Sequence, residues 1–309
     1  MTNFYMMVGM PASGKSYYSA NRIAFCEVVS SDAIRKELFG DEKDQEHNNE
    51  VFNEVHKRIY NLVKEGKDCC YDATNISRKR RKSFLKTLPE GTVKHAILIA
   101  TDLSVCAERN LMRDRTVPRN VIDRMFKHIT IPTLEEGFDY IHIVPKCNDE
   151  NDLNYYLEMS EGFDQDNPHH KYTLSKHMVE AYKYIINNLD NFDLTDIEIT
   201  TLSEATRLHD VGKYICKTYE TYSGKIDDHA HYYNHAEVGA YLYLATMPEN
   251  AVITKECRFP NYETFVAELI RCHMMFFEDW FSIDKMRETH GDRFVKLLNI
   301  LHEADRSAH

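Results

Sequence analysis

The octapeptide GMPASGKS, Gly9 to Ser16, directly follows the apolar run FYMMV, and no other stretch of the chain restricts the fold so tightly. It fits the pattern G-x-x-x-x-G-K-S, whose mechanics require a strand, a sharp loop and a helix in succession. Gly9 and Gly14 let the backbone bend so that its N–H groups face a β-phosphate at a helix N-terminus, with Ser13 in the same cradle. Lys15 then spans the β- and γ-phosphates, and the Ser16 hydroxyl is a ligand for Mg²⁺. The loop therefore predicts a nucleoside triphosphate with Mg²⁺.

A strand feeding such a loop belongs to a parallel sheet, and the first half of the chain supplies further strands. FCEVV, DCCY, HAILIA and YIHIV are short apolar runs separated by polar helical stretches, the pattern of strands buried on both faces. The second half changes period. LSKHMVEAYKYIINNL, IEITTLSEATRLHD, HAEVGAYLYLA, YETFVAELIRCHMMFF and RFVKLLNILHEAD carry helical spacing and predict an all-helical bundle. With 309 residues and 43% hydrophobic content the chain has material for two cores. The expected division is residues 1–150, a polar linker over 151–168, and residues 169–309.

Charge divides at the same place. Residues 1–150 hold 23 Lys and Arg against 22 Asp and Glu, whereas the remainder holds 15 against 27. The base of the first half gathers in SRKRRK (Ser77 to Lys82) and in Arg109, Arg113, Arg115, Arg119 and Arg124, which can track a phosphate backbone or simply form a solvated helix face. The eight cysteines lack C-x-x-C spacing and fit reduced thiols. No apolar run reaches membrane-spanning length and no secretion signal opens the chain, so a cytoplasmic protein without a membrane partner is expected.

Three further segments of the first half carry chemistry. SDAIR sets Asp32 and Arg35 one helical turn apart at the sheet edge, where Asp32 can orient a hydroxyl and take its proton while Arg35 holds an acceptor phosphate. DATN ends a strand with Asp72, placed to order the Mg²⁺ waters, followed by Thr74 and Asn75 as hydrogen-bonding groups; a plain strand-ending turn explains the same residues. Before Pro118, Arg113 and Arg115 can form a mobile lid that clamps the γ-phosphate. Together GMPASGKS, SDAIR, DATN and the R-x-R-x-V-P-x-x-V-I segment resemble the polynucleotide 5′-hydroxyl kinase branch of the P-loop phosphotransferases, over roughly residues 1–145. The resemblance implies that Asp32 is the general base, that Arg35 contacts the phosphate beside the 5′-OH, and that either Arg113 or Arg115 engages the donor phosphates.

In the second half, RLHDVGK places His209 beside Asp210, one nitrogen and one hard oxygen for a divalent ion. His177, His235, His273 and Asp305 stand on other predicted helices and can complete such a site; singly, each also reads as an ordinary core histidine or surface acid. The ordered set, with HDVGK intact, resembles the HD-domain metal-dependent phosphohydrolases across about residues 165–309. That resemblance implies a first ion on His177, His209, Asp210 and Asp305, and a possible second on His235 and His273, with Mn²⁺, Co²⁺, Ni²⁺ or Zn²⁺ as candidates. Lys213 would hold a non-bridging phosphate oxygen, and His169 and His170 read as packing or substrate contacts.

An α/β P-loop kinase domain joined to an all-α HD-domain bundle resembles the bifunctional end-healing enzymes. Ribonuclease products carry a 5′-OH on one side and a 2′,3′-cyclic phosphate on the other, and one chain able to add the first phosphate and hydrolyse the second would prepare RNA or DNA ends for a ligase. Two other readings stay open. One is a nucleoside or sugar kinase fused to a nucleotide phosphohydrolase, separable by offering a nucleoside and a 5′-OH oligomer with ATP. The other is an ATP-sensing regulator of the hydrolase, against which Asp32 counts, since a sensor needs no acceptor base.

Overall fold

The computed structural model describes residues 1–113, 115–146, 153–168, 170–279 and 281–308. His169 and one of the eight cysteines, Cys147, lie outside these. The chain forms two compact units, Met1–Cys147 with Pro248–Arg258, and Asn148–Met247 with Phe259–His309.

The first unit runs β1 (Asn3–Val8), α1 (Lys15–Arg22), β2 (Glu27–Ser30), α2 (Ser31–Phe39), α3 (Asn48–Lys64), β3 (Cys69–Asp72), α4 (Arg78–Leu85), β4 (Val93–Thr101), α5 (Leu103–Leu111), α6 (Arg119–Lys127) and β5 (Tyr140–Lys146). These five strands are parallel in the order β2-β3-β1-β4-β5. The apolar run of β1 is buried on both faces, as a central parallel strand requires: Phe4, Met6, Met7 and Val8 are all fully buried. Because β1 is flanked by β3 and β4, the chain leaves it in opposite directions, and the crevice at its carboxyl end is where an open α/β sheet binds ligands.

The basic run SRKRRK is in part a structural element: Lys79, Arg80 and Lys82 are exposed, but Arg81 is withdrawn from the surface. Arg81 is buried and makes a two-point ion pair with Glu136, Nε and Nη2 each 2.7 Å from a carboxylate oxygen. Its remaining donors bond the carbonyls of Asn75 and Thr130 at 3.0 and 2.9 Å, tying α4 to the loops around it.

The second unit contains α7 (Leu153–Ser160), α8 (Leu174–Asn187), α9 (Asp196–Leu208), α10 (Lys213–Cys216), a hairpin of β6 (Thr218–Glu220) and β7 (Ile226–His231), α11 (His235–Ala245), α12 (Tyr262–Cys272), α13 (Ile283–His290) and α14 (Asp292–Ser307). Every residue of α11 is buried, so this helix is the axis around which the others pack. Capping boxes at Thr195–Glu198 and Asn261–Thr264 start α9 and α12. Two expectations need correction. The unit is not all-helical, because β6 and β7 pair antiparallel; their short, largely polar strands lack the apolar alternation that marks a half-buried strand. The segment expected as a linker carries α7.

A last strand, β8 (Ala251–Thr254), follows α11 and pairs antiparallel with β5, so the sheet of the first unit has six strands, the sixth drawn from the second half of the sequence. Four residues with one buried side chain gave no periodic signal for it. Among the described residues no helix is long and apolar enough to cross a membrane.

The buried Arg81–Glu136 pair should dominate the stability of the first unit. Arg81→Ala leaves the buried Glu136 with only Arg78, 3.5 Å away, as a charged partner and should lower the denaturant-unfolding free energy of that unit by up to about 3–5 kcal/mol. A loss below about 1 kcal/mol would mean that the pair is screened and contributes little.

Candidate functional sites

At the carboxyl end of β1 the backbone turns through Gly9, with φ 154°, where a Cβ would lie 2.8 Å from the Ser13 hydroxyl and 2.9 Å from the Ile99 carbonyl. Gly14 has φ 103° and stands at the N-terminus of α1. The neighbouring strands fix the loop: Gly9 donates to the Thr74 carbonyl at 2.9 Å, and the Asn75 amide donates to the Met7 carbonyl at 2.9 Å. Thr74 thus acts here through its backbone. The Lys15 ammonium folds back onto the Met10 carbonyl at 2.7 Å. Burial lowers its pKa to about 8, against the opposing pull of Asp72. Burial likewise raises the Asp72 carboxyl, opposed by Lys15 and by a bond from the Ser16 hydroxyl. Ser16, Asp72 and Lys15 are therefore grouped as the sequence suggested. The buried Ser13 hydroxyl makes no hydrogen bond among the described residues and can still meet a ligand oxygen.

Asp32 sits in the first turn of α2, half exposed, with Arg35 at 2.7 Å and Arg115 at 3.1 Å from the same carboxylate oxygen. Arg35 is buried and held from its other side by Asn48 at 2.9 Å, a residue sequence reasoning missed because one amide on a helix carries no pattern. The loop bearing Arg113 and Arg115 is pinned at its base by Asn110, whose side chain makes two 2.9 Å bonds to the Val117 backbone. Arg113 is exposed, and its charge acts on Lys15 and Asp72. The two arginines thus face different groups: Arg113 the phosphate cradle, Arg115 the candidate base.

In the second unit, five helices, α8, α9, α11, α12 and α14, deliver a buried cluster. His177, His209, Asp210 and Asp305 form one group and Asp210, His235 and His273 another, the potential donor atoms of each lying within 4.8 Å of one another. Asp210 is common to both. Its Oδ2 lies 3.3 Å from His177 and 3.5 Å from His209, and its Oδ1 lies 3.1 Å from His235 and 3.4 Å from His273. Asp305 closes the first group, 3.0 Å from His177.

The proton positions give the cluster a donor set that can hold a cation. His209, His235 and His273 each place Nδ1 2.7 Å from a backbone carbonyl, which only accepts, so Nδ1 carries the proton and a neutral ring turns a lone pair inward at Nε2. Two such pairs of Nε2 atoms, His177–His209 and His235–His273, are 3.2 Å apart in a dry interior beside carboxylate oxygens. Lone pairs at that distance repel unless a proton or a metal ion lies among them. In the first group a proton can serve: burial lowers the His177 pKa, but Asp210 and Asp305 raise it more, to about 9. In the second, burial lowers the His235 pKa, which keeps its Nε2 a lone pair and fits a metal better than a proton. Burial also opposes the charge of Asp210, yet Lys213 and the imidazoles hold its carboxyl well below the ordinary range.

Lys213 is buried, 2.6 Å from Asp210 Oδ2 and 3.2 Å from Gln165 Oε1. Gln165 is a second residue the sequence did not reveal. His170 reaches the same ammonium at 3.5 Å. Gly212 explains why HDVGK carries a glycine: a Cβ there would lie 2.1 Å from the His235 carbonyl and 2.7 Å from the Gly239 nitrogen. Its absence lets α10 and α11 approach and brings His235 to Asp210.

Residues 4–132 match the family model described as an AAA domain. No curated protein matches the chain. Among solved structures, a chain of the Pnkp1/Rnl/Hen1 RNA repair complex is similar at 22% identity and TM-score 0.36, over 40% of this chain and 42% of that one. A putative kinase from Chloroflexus aurantiacus is similar at 16% identity and TM-score 0.32, over 36% and 66%. A gluconokinase from Sinorhizobium meliloti is similar at 17% identity and TM-score 0.32, over 42% and 76%. The chain spans about two fifths of the first of these structures.

Gly212→Ala should force α10 and α11 apart and empty the group of His235 and His273 first. After reconstitution with Mn²⁺, elemental analysis should find about one ion fewer per chain than in the parent protein, at unchanged helical circular dichroism. An equal metal content in both proteins would remove this role for the glycine.

Proposed function

We propose that the chain repairs nucleic-acid ends, with residues 1–150 phosphorylating a 5′-OH from ATP and residues 169–309 hydrolysing a 2′,3′-cyclic, 2′- or 3′-phosphate. What carries the reading is the presence in one chain of a donor-phosphate cradle with a candidate base beside it, and of a separate buried carboxylate shared by two convergent imidazole groups.

In the first reaction the Gly9–Ser16 loop and Lys15 would hold the donor phosphates, while Ser16 would ligate Mg²⁺ and Asp72 would order its waters. Arg35 engages the acceptor phosphate next to the 5′-OH. Asp32 orients the hydroxyl and takes its proton as the oxygen bonds to the γ-phosphorus and the bond to the leaving ADP oxygen breaks. Release of Asp32 by Arg115 frees the carboxylate for the substrate, and the same arginine, with Arg113, can then face the donor phosphates. In the second reaction His177, His209, Asp210 and Asp305 hold one ion, and Asp210, His235 and His273 hold the other. Divalent ions there supply Lewis acidity for phosphoester hydrolysis. Lys213 presents a positive charge to a non-bridging phosphate oxygen, and Gln165 keeps that ammonium in place. The chemistry of the ends favours RNA as the polymer, because a 2′,3′-cyclic phosphate forms only where a 2′-OH is present. A ligase is the matching partner, since a 5′-phosphate facing a free 3′-OH is the pair of ends that such an enzyme joins.

Lys15→Ala and Asp32→Ala should each abolish labelling of a 5′-OH oligonucleotide, by at least about 10²–10⁴-fold for the base, and leave 3′-end hydrolysis intact. Undiminished labelling by the Asp32 variant would take it out of the role of base.

The activities should also part by metal. Mg²⁺ suits the oxygens of ATP, whereas imidazoles with carboxylates favour Mn²⁺, Co²⁺, Ni²⁺ or Zn²⁺. Asp210→Ala should lose hydrolysis and bound transition metal while retaining 5′ phosphorylation. Full-rate hydrolysis of 3′ ends by stripped enzyme given Mg²⁺ alone would contradict the assignment of the cluster.

A further inference from the structure

The hairpin of β6 and β7 ends in three rings that no part of the phosphate chemistry uses. Tyr222 and Tyr233 have ring centroids 3.8 Å apart at 37°, and His231 stacks on Tyr233 at 5.2 Å and 8°. The stack is built in advance. Asp227 holds the His231 ring at 3.1 Å, and the tip carrying Tyr222 is closed by Thr221 N–H to the Lys225 carbonyl at 2.8 Å and Gly224 N–H to the Thr221 carbonyl at 2.9 Å. Yet Tyr222 remains 85% exposed, an aromatic face fixed in position and turned to solvent.

Its place in the chain relates it to the metal cluster. Tyr233 stands two residues before His235, so their Cα atoms are at most about 7.6 Å apart. Tyr232, the neighbour of Tyr233 in the chain, points the other way: its hydroxyl donates to the Gln165 carbonyl at 2.5 Å, and its own carbonyl receives the His235 Nδ1 proton at 2.7 Å. Tyr232 thus belongs to the cluster and Tyr233 to the outer stack.

We propose that the Tyr222–Tyr233–His231 stack is the seat for the nucleobase of the terminal nucleotide whose phosphate enters the cluster of Asp210. This rests on the reading of the second unit as a hydrolase of nucleic-acid ends and adds what it recognises: a base, by its π-face, without preference among the four. A phosphate-binding surface is a poor alternative for the hairpin, because Glu220, Asp227 and Asp228 outnumber Lys225 on it and would repel a backbone, whereas they leave stacking untouched. Tyr222 takes the base on its open face and Tyr233 backs it.

The test compares two oligonucleotides on the full-length, Mn²⁺-loaded protein, both ending in a 2′,3′-cyclic phosphate, one with a normal terminal nucleotide and one with an abasic terminal ribose. The abasic end should raise KM at least about tenfold with little change in kcat, as loss of one base–aromatic stack predicts. Tyr222→Ala should raise KM for the normal end by the same factor and leave the abasic end unaffected, and Tyr222→Trp should restore the normal value; metal content and 5′ phosphorylation should match the parent in both variants. Equal KM for the two ends in the parent, or an equal effect of Tyr222→Ala on both, overturns the stacking seat while leaving the hydrolase reading in place. Hydrolysis of neither end by the parent overturns the hydrolase reading and the seat with it.

Discussion

The parallel pairing of β1 with β3 on one side and β4 on the other is the constraint from which the first unit follows. It aligns the ends of three strands, so that the turn after Val8 meets the turn after Asp72, and two backbone-directed bonds lock those turns together. Lys15 and Asp72 are consequently buried within reach of each other's charge, which is costly for both in isolation and tolerable as a pair. The sheet thereby stores an electrostatic demand at its carboxyl edge that a phosphate with its counter-ion is suited to meet.

The second unit solves a related problem with helices. Like charges and lone pairs can be brought together in a dry interior only when the surrounding packing over-determines their positions. α11 does this by being buried along its whole length, and Gly212 by removing the atom that would hold it away. The bridging position of Asp210 follows from its sitting directly after the end of α9, where one carboxylate can face two helices on either side.

Much of this was legible in the residues, and the reasons differ from place to place. β1, β3 and β4 showed themselves because burial between neighbours demands apolar runs, whereas the edge strand β2 keeps Glu27 and Val28 exposed; the cluster of His and Asp showed itself as an ordered set around HDVGK. Asn48, Gln165 and Glu136 were invisible because each is a single polar side chain whose partner is brought close only by the tertiary fold. Within SRKRRK the structural role of Arg81 was hidden for the same cause: composition registers its charge but not the glutamate 55 positions away that neutralises it. The β6–β7 hairpin and β8 escaped because three to six polar or short-patterned residues fall below the length at which a period can be read.

That last strand bears on how the chain can be divided. β8 is supplied by a stretch that leaves the second unit at Pro248 and returns to it at Phe259, so the polypeptide crosses between the units more than once. A fragment ending near residue 150 would contain every strand that the sequence suggests, yet it would strip β5 of its antiparallel neighbour and expose a row of unpaired backbone N–H and C=O groups at the rim of the sheet. Such a rim is a template for intermolecular pairing. The nucleotide-binding half is thus a discontinuous domain, and recombination or truncation at the apparent boundary yields a sheet prone to self-association, while a permuted chain that keeps residues 248–258 attached to β5 preserves its edge.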